Sequence, residues 1–336
     1  MRVLSAATSC AQLPTFYKFT IFGVLVLILF ATLQTGPVDF REHWDKLRKP
    51  TKAGLGGGMP LRVMFIGASM TLGEHSTGER GFGKQIRDWL IEQGNEVNYV
   101  GQNRYGAFLD NDVQAFGAQP IIPLLDSCKE IVPQTQPNLI LINAGSSDCF
   151  QPEHFGSALA LSKIRALVDY LFEASPRATI ILSTVIPSPW DGVEACVRSV
   201  NAQIRQAVLD LAREGKRVAL AEMHYDQGLP DRVELKHIGK DEMHPTDGGY
   251  FIMGDIFIGS IQEVDDLGFL QPPVINGVPF DGEAERYAEQ INAQTQQQTN
   301  MEQPQSEGES VQEADEEESE ASSLPRRRRQ RFPFRL

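Results

Sequence analysis

Leu61-Arg-Val-Met-Phe-Ile66, followed at once by Gly67-Ala68-Ser69-Met70-Thr71, decides how this chain is read. An apolar run of this length bounded by a glycine reads as a buried strand, and a serine two residues past its end lies on a tight strand-to-helix turn. Working outward, four more runs have the same character: Glu96–Val100, Asn138–Asn143, Ala178–Val185 and Arg217–Ala221. Between them, segments 80–93, 120–133, 154–173, 193–214 and 247–265 carry apolar residues at three-to-four spacing and predict helices. Five strands alternating with crossover helices predict a three-layer α/β/α sandwich around a five-stranded parallel sheet. In such folds the loops at the strand C-terminal ends build the site.

Composition bounds the function. With 336 residues, 41% hydrophobic and 22% charged, the chain can form one core of about 200 residues plus appendages. A net charge of -13 disfavours nucleic acid as a partner and points to a small, roughly neutral ligand.

The flanks differ from the middle. Residues 1–18 form a short N-terminal flank, and the apolar segment 19–34 has the length of a signal-peptide core or a short membrane span. No small-x-small cleavage pattern follows it, which favours an uncleaved signal anchor attaching the chain to a membrane; cleavage would instead make it secreted. Residues 35–60, charged and then rich in glycine, read as a flexible linker. The folded domain is expected over 61–267. Residues 268–336, glutamine-rich, then acidic, then ending in Arg326-Arg327-Arg328-Arg329 before a short apolar end, read as a disordered tail.

Chemistry-bearing residues fall at the predicted strand ends. Ser69 follows the first strand, Ser146–Asp148 follow the third, and Asp241-Glu242-Met243-His244-Pro245 precede the last helix. A serine, a histidine and an aspartate supply a nucleophile, its base and the group that orients the base. Each alone reads as readily as a helix cap; their conjunction on one sheet edge carries the argument.

On these residues the chain resembles the SGNH, or GDSL-like, hydrolase superfamily over about Leu61 to Leu267, and looks most like fungal carbohydrate-esterase and acetyl-xylan-esterase members. The resemblance implies a flavodoxin-like hydrolase fold, with Gly67-Ala68-Ser69 standing where the family has Gly-Asp-Ser. Asp241, His244, Pro245, Gly249 and Tyr250 match the last block in full. It implies Ser69 as nucleophile, His244 as base and Asp241 as orienting acid. The oxyanion donors would be the Ser69 N–H, the Gly117 N–H within Ala115-Phe-Gly-Ala118, and Ser147. In the third block Gly145-Ser146-Ser147-Asp148 departs from Gly-x-Asn-Asp, so a serine hydroxyl replaces an asparagine amide. That change leaves open a catalytically impaired binding or scaffolding module on the same fold. The implied reaction is hydrolysis of small acyl esters, acetyl foremost, with acetylated carbohydrate as a substrate class and the domain facing the lumen or exterior.

No cofactor and no metal are expected, since His43, His75, His154, His224 and His237 show no metal-ligand spacing and read as loop or surface residues. Glu74, His75, Trp190 and Asp191 are possible rim residues, Trp190 as a platform for a sugar ring. Cys149 and Cys196, each following one of two adjacent central strands, could pair if the domain is lumenal.

Overall fold

The structure is a computed structural model that describes residues 54–151 and 158–302. The apolar segment 19–34, the first part of the linker and the acidic and arginine-rich stretches of the tail lie outside the described residues. Among the described residues no helix is long and apolar enough to cross a membrane.

The predicted α/β/α sandwich is present, with a seven-stranded, mostly parallel sheet in the order β3-β4-β1-β5-β6-β7, and β2 also pairing with β1. The strands are β1 Leu61–Gly67, β2 Val97–Tyr99, β3 Asn103–Arg104, β4 Asp112–Ala115, β5 Leu139–Asn143, β6 Thr179–Ser183 and β7 Val218–Ala221. The sequence reading expected five strands and missed β3 and β4. Both are short and carry polar residues: Val113 and Ala115 of β4 enter the apolar core, but Gln114 Nε2–H donates to Gln102 and Ser127, and the Asp112 carboxylate meets Arg104 and Arg286. β4 runs parallel to the upper half of β1, pairing Ala115 with Gly67, whereas β2 pairs with its lower half, Leu61–Val63 against Val97–Tyr99.

Every residue of β1 is buried. Alternation sends Leu61, Val63 and Phe65 into one apolar cluster and Met64 and Ile66 into the other, one on each face. The helices are α1 Ser69–Leu72, α2 Gly83–Gln93, α3 Ile121–Thr135, α4 Ser146–Phe150, α5 Ala160–Ala174, α6 Asp191–Arg213, α7 Asp247–Asp266 and α8 Gly282–Glu302. Phe82, Ile86 and Leu90 with Tyr250, Phe257 and Ile261 of α7 close the first face; residues of α3, α5 and α6 close the second.

Both expected domain boundaries move outward. Leu55 is buried, and its N–H donates to Asn95 Oδ1 at 3.0 Å, so the packed chain begins before Leu61. At the other end it continues past Leu267 to Ala288, where a second unit begins. Arg62 explains this extension. It sits on the central strand yet is 1% exposed, because its guanidinium donates to the carbonyls of Thr135, Val274 and Val278 at 2.6, 3.3 and 3.1 Å. Arg87 then pairs with Asp110 and Glu283, and Arg286 with Asp112, so residues 274–286 are tied to the sheet by charge and backbone carbonyls rather than by a run of apolar side chains.

Candidate active site

Three strand ends position the site. Gly67 and Asn143 are register partners at the C-terminal ends of β1 and β5, and Ala115 faces Gly67 from β4. A side chain at Gly67 has no room: its Cβ would lie 2.0 Å from Thr71 Oγ1 and 2.3 Å from the Asn143 carbonyl oxygen. That close approach lets α1 start immediately after the strand, with Ala68 extended at φ -111° and Ser69 on the first turn.

Downstream, 175 residues along the chain, a short turn presents the base. Asp241 Oδ1 accepts from the backbone N–H groups of Met243 and His244, at 3.2 and 3.1 Å, and Oδ2 accepts from His244 Nδ1–H at 2.6 Å. Because a carboxylate can only accept, this bond places the proton on Nδ1 and leaves Nε2 as an acceptor. The Ser69 hydroxyl donates to that Nε2 at 2.9 Å. Burial would raise the Asp241 carboxyl, but the hydrogen bonds from the His244 ring and from the two backbone N–H groups outweigh it and hold the pKa below the usual carboxylate value.

The other residues of the last block have mechanical reasons to be there. Thr246 caps α7, its Oγ1 accepting from Gly249 N–H at 3.2 Å. A Cβ on Gly249 would lie 2.7 Å from the His237 carbonyl oxygen and 2.9 Å from Pro245, so the helix start packs against the histidine turn only with glycine. The Tyr250 hydroxyl donates to the Glu74 carbonyl at 2.7 Å, tying the histidine helix to the loop after the nucleophile. Thr77 joins the same tie through Asp247.

Gly117 lies in the turn that follows β4, which hydrogen-bonds to the nucleophile strand through Phe116 N–H and the Gly67 carbonyl at 3.2 Å. Ser147 is buried on α4, which leaves β5 through Gly145 at φ 116°, where a Cβ would meet Val200 at 2.9 Å. Its neighbour Asp148 is fully buried, pairs with Lys163 at 2.8 Å and accepts from Ile121 N–H at 3.1 Å, anchoring α4 to α3 and α5. Trp190 is 40% exposed, stands edge-on to Phe150 and donates Nε1–H to Glu242 at 2.8 Å, so it braces the histidine turn as well as facing solvent.

Cys149 and Cys196 form a disulfide with their Cα atoms 5.5 Å apart, joining α4 to α6 two residues beyond Ser147. The bridge closes a 47-residue separation. Cys196→Ser is expected to lower the unfolding free energy by about 2–4 kcal/mol, read by chemical denaturation; an unchanged denaturation midpoint would contradict a stabilising role.

One histidine reading is corrected. His224 is not a surface residue but fully buried, with Nε2 3.2 Å from Glu194 and Nδ1 accepting from Asp226 N–H at 3.1 Å. Arg205 adds bonds to Glu222 and Asp226, and Glu194 accepts from Ser188 N–H, so this charged cluster fixes the loops after β6 and β7 to α6. His75, exposed on the loop after α1 as expected of a rim residue, stacks on His244 at 4.6 Å between ring centroids and approaches Asp241 Oδ2 at 3.7 Å. His75, Asp241 and His244 are therefore the group among the described residues that could hold a metal ion, but the same Asp241–His244 pair is already engaged with Ser69.

The model of the GDSL-like Lipase/Acylhydrolase family matches residues 65–252, from β1 to the start of α7, and takes in both segments of the serine–histidine pair. The chain belongs to this family. As a GDSL-like acylhydrolase it is by class an ester hydrolase. No curated protein sequence matches it. Among solved structures it is similar to a Clostridium thermocellum family 3 carbohydrate esterase, at 18% identity and a TM-score of 0.53, over 62% of this chain and 98% of that one. It is also similar to a carbohydrate esterase family 3 structure from Talaromyces cellulolyticus, at 18% identity and a TM-score of 0.52, over 61% of this chain and 99% of that one. At this identity the likeness shows that this acylhydrolase shares their fold.

Proposed function

We propose that the chain hydrolyses small acyl esters, acetyl esters foremost, by nucleophilic catalysis at Ser69. The observation that carries the reading is the unbroken hydrogen-bond chain from Ser69 Oγ through the His244 ring to Asp241. His244 Nε2 takes the Ser69 proton as Oγ attacks the carbonyl carbon, and Asp241 stabilises the imidazolium that forms. The tetrahedral intermediate collapses as His244 protonates the leaving alcohol, and water then hydrolyses the acyl-serine by the same base. Backbone N–H groups at Ser69 and Gly117, with the Ser147 hydroxyl, are the donors assigned to the oxyanion.

Carbohydrate as the alcohol half rests on the resemblance to acetyl-xylan-esterase-like members, on the family 3 carbohydrate esterases that share the fold, and on the half-open face of Trp190. The test is hydrolysis of p-nitrophenyl acetate and acetylated xylan by the wild type beside Ser69→Ala. Turnover of both substrates, lost in the variant, supports the reading; a folded wild type inactive on both would favour a binding module on this fold.

The serine in the asparagine position makes its own prediction. One oxyanion donor is worth about 10²- to 10³-fold in rate, and an asparagine amide reaches farther than a hydroxyl. Ser147→Asn is therefore expected to raise kcat on p-nitrophenyl acetate by roughly tenfold; an unchanged or lower kcat with an unchanged melting temperature would remove Ser147 from the oxyanion site.

The disulfide supports an oxidising compartment. With the apolar segment 19–34 as anchor, the catalytic domain would face the lumen or exterior, and cleavage of that segment would release it.

A further inference from the structure

Glu74 is the feature of the site that the reaction scheme leaves unused. Its carboxylate oxygen Oε2 lies 3.8 Å from His244 Nε2, the nitrogen that must hand a proton to the leaving alcohol. Its other oxygen points towards the oxyanion turn, 3.2 Å from where a Cβ would stand on Gly117. The carboxylate therefore borders both the proton-delivering nitrogen and the turn that carries Gly117.

This placement is built rather than incidental. Glu74 N–H donates to the Ser69 carbonyl at 3.1 Å, and its own carbonyl accepts from Tyr250, so its backbone is held from both sides of the site. The next residue, His75, is kept at φ 66°, a strained conformation for a residue with a side chain. Among the described residues the base that comes within 4.0 Å of the carboxylate is His244, which pairs with it only when its ring is protonated. Asp241 and Glu242 stand on the adjoining turn and add negative charge to the same mouth.

A carboxylate beside a developing oxyanion opposes catalysis unless the substrate supplies a donor to it. We propose, on the esterase reading above, that Glu74 is a specificity-determining residue that reads the alcohol half of the ester: it accepts a hydrogen bond from a hydroxyl next to the scissile bond and rejects alcohols carrying an anionic group there. The substrates this favours are esters of neutral polyols, with a free hydroxyl vicinal to the acyl oxygen. Esters bearing a phosphate or carboxylate at that position are disfavoured. No covalent bond to Glu74 forms or breaks; its effect is on which alcohol is held when His244 delivers the proton.

Three small acetates separate the effects: 2-hydroxyethyl acetate, its methyl ether 2-methoxyethyl acetate, and acetoxyacetate, which is anionic. For the full-length wild type, kcat/KM is expected to rank in that order. Glu74→Gln keeps the shape and removes the charge, so acetoxyacetate should gain roughly tenfold relative to the methyl ether. The hydroxyl ester should lose several-fold relative to the methyl ether, because hydrogen bonds to charged acceptors are about twice as strong as neutral ones. A merely structural Glu74 would lower all three alike. Unchanged ratios in an active Glu74→Gln overturn the proposal and leave the esterase reading standing. A wild type that turns over none of the three, nor p-nitrophenyl acetate, removes the esterase reading and this proposal with it.

Discussion

Ser69→Ala lowers kcat on p-nitrophenyl acetate by roughly 10⁶-fold, or to the detection limit, without unfolding the protein. The loss is large because the hydroxyl is the group that His244 activates, and no other serine or threonine hydroxyl hydrogen-bonds to His244 Nε2 among the described residues. The fold does not depend on it: α1 is secured by Thr71, Leu72 and Gly73 N–H bonds to the Ala68 and Ser69 carbonyls, which alanine keeps. The melting temperature should therefore stay close to that of the wild type, as for substitutions away from the core, within about 0.5 kcal/mol. A variant that keeps more than ~1% of wild-type kcat with an intact melt would put the nucleophile elsewhere.

Asp241→Asn is the second large loss, about 10⁴-fold in kcat near neutral pH. The near-isosteric amide can donate to His244 Nδ1, which favours the tautomer with its proton on Nε2; that nitrogen then cannot accept the Ser69 proton. The pH dependence follows from the direction of the shift. Asp241 is held below the usual carboxylate range by the His244 ring and the two backbone N–H groups, so its carboxylate stays ionised through the neutral range. For stability the sign is that of a depressed carboxyl. Its contribution is present above the unfolded value near about 4 and is lost as pH falls through the lower folded value. Acid denaturation of Asp241→Asn should lack that component. Near-wild-type kcat in a folded Asp241→Asn would show that the aspartate does not set the tautomer.

Much of this site was legible because its blocks are local. Gly67-Ala68-Ser69 sits directly after a strand that is apolar on both faces, and Asp241 lies three residues before His244, close enough to make an internal turn. The five apolar strands were legible for the same reason. What the sequence hid is held by long-range polar contacts. Strands β3 and β4 are short and satisfied by glutamine, arginine and aspartate side chains, and residues 274–286 are fixed by Arg62, whose charge reads as a solvent signal on a strand pattern. His224 reads as a surface residue for the same reason: Glu194, its partner on α6, lies 30 residues away along the chain. The loop residues Glu74 and His75 look like ordinary rim positions until Tyr250, 176 residues from Glu74, fixes the backbone between them and the base.

Covalent labelling tests the central claim most directly. Incubation of the folded protein with a serine-directed fluorophosphonate, followed by peptide mapping, should place one adduct on Ser69, abolish ester hydrolysis in proportion to labelling, and slow by orders of magnitude in His244→Ala. A folded protein that takes up no label, or takes it up on another residue while Ser69 stays free, would contradict the assignment of this serine as the nucleophile.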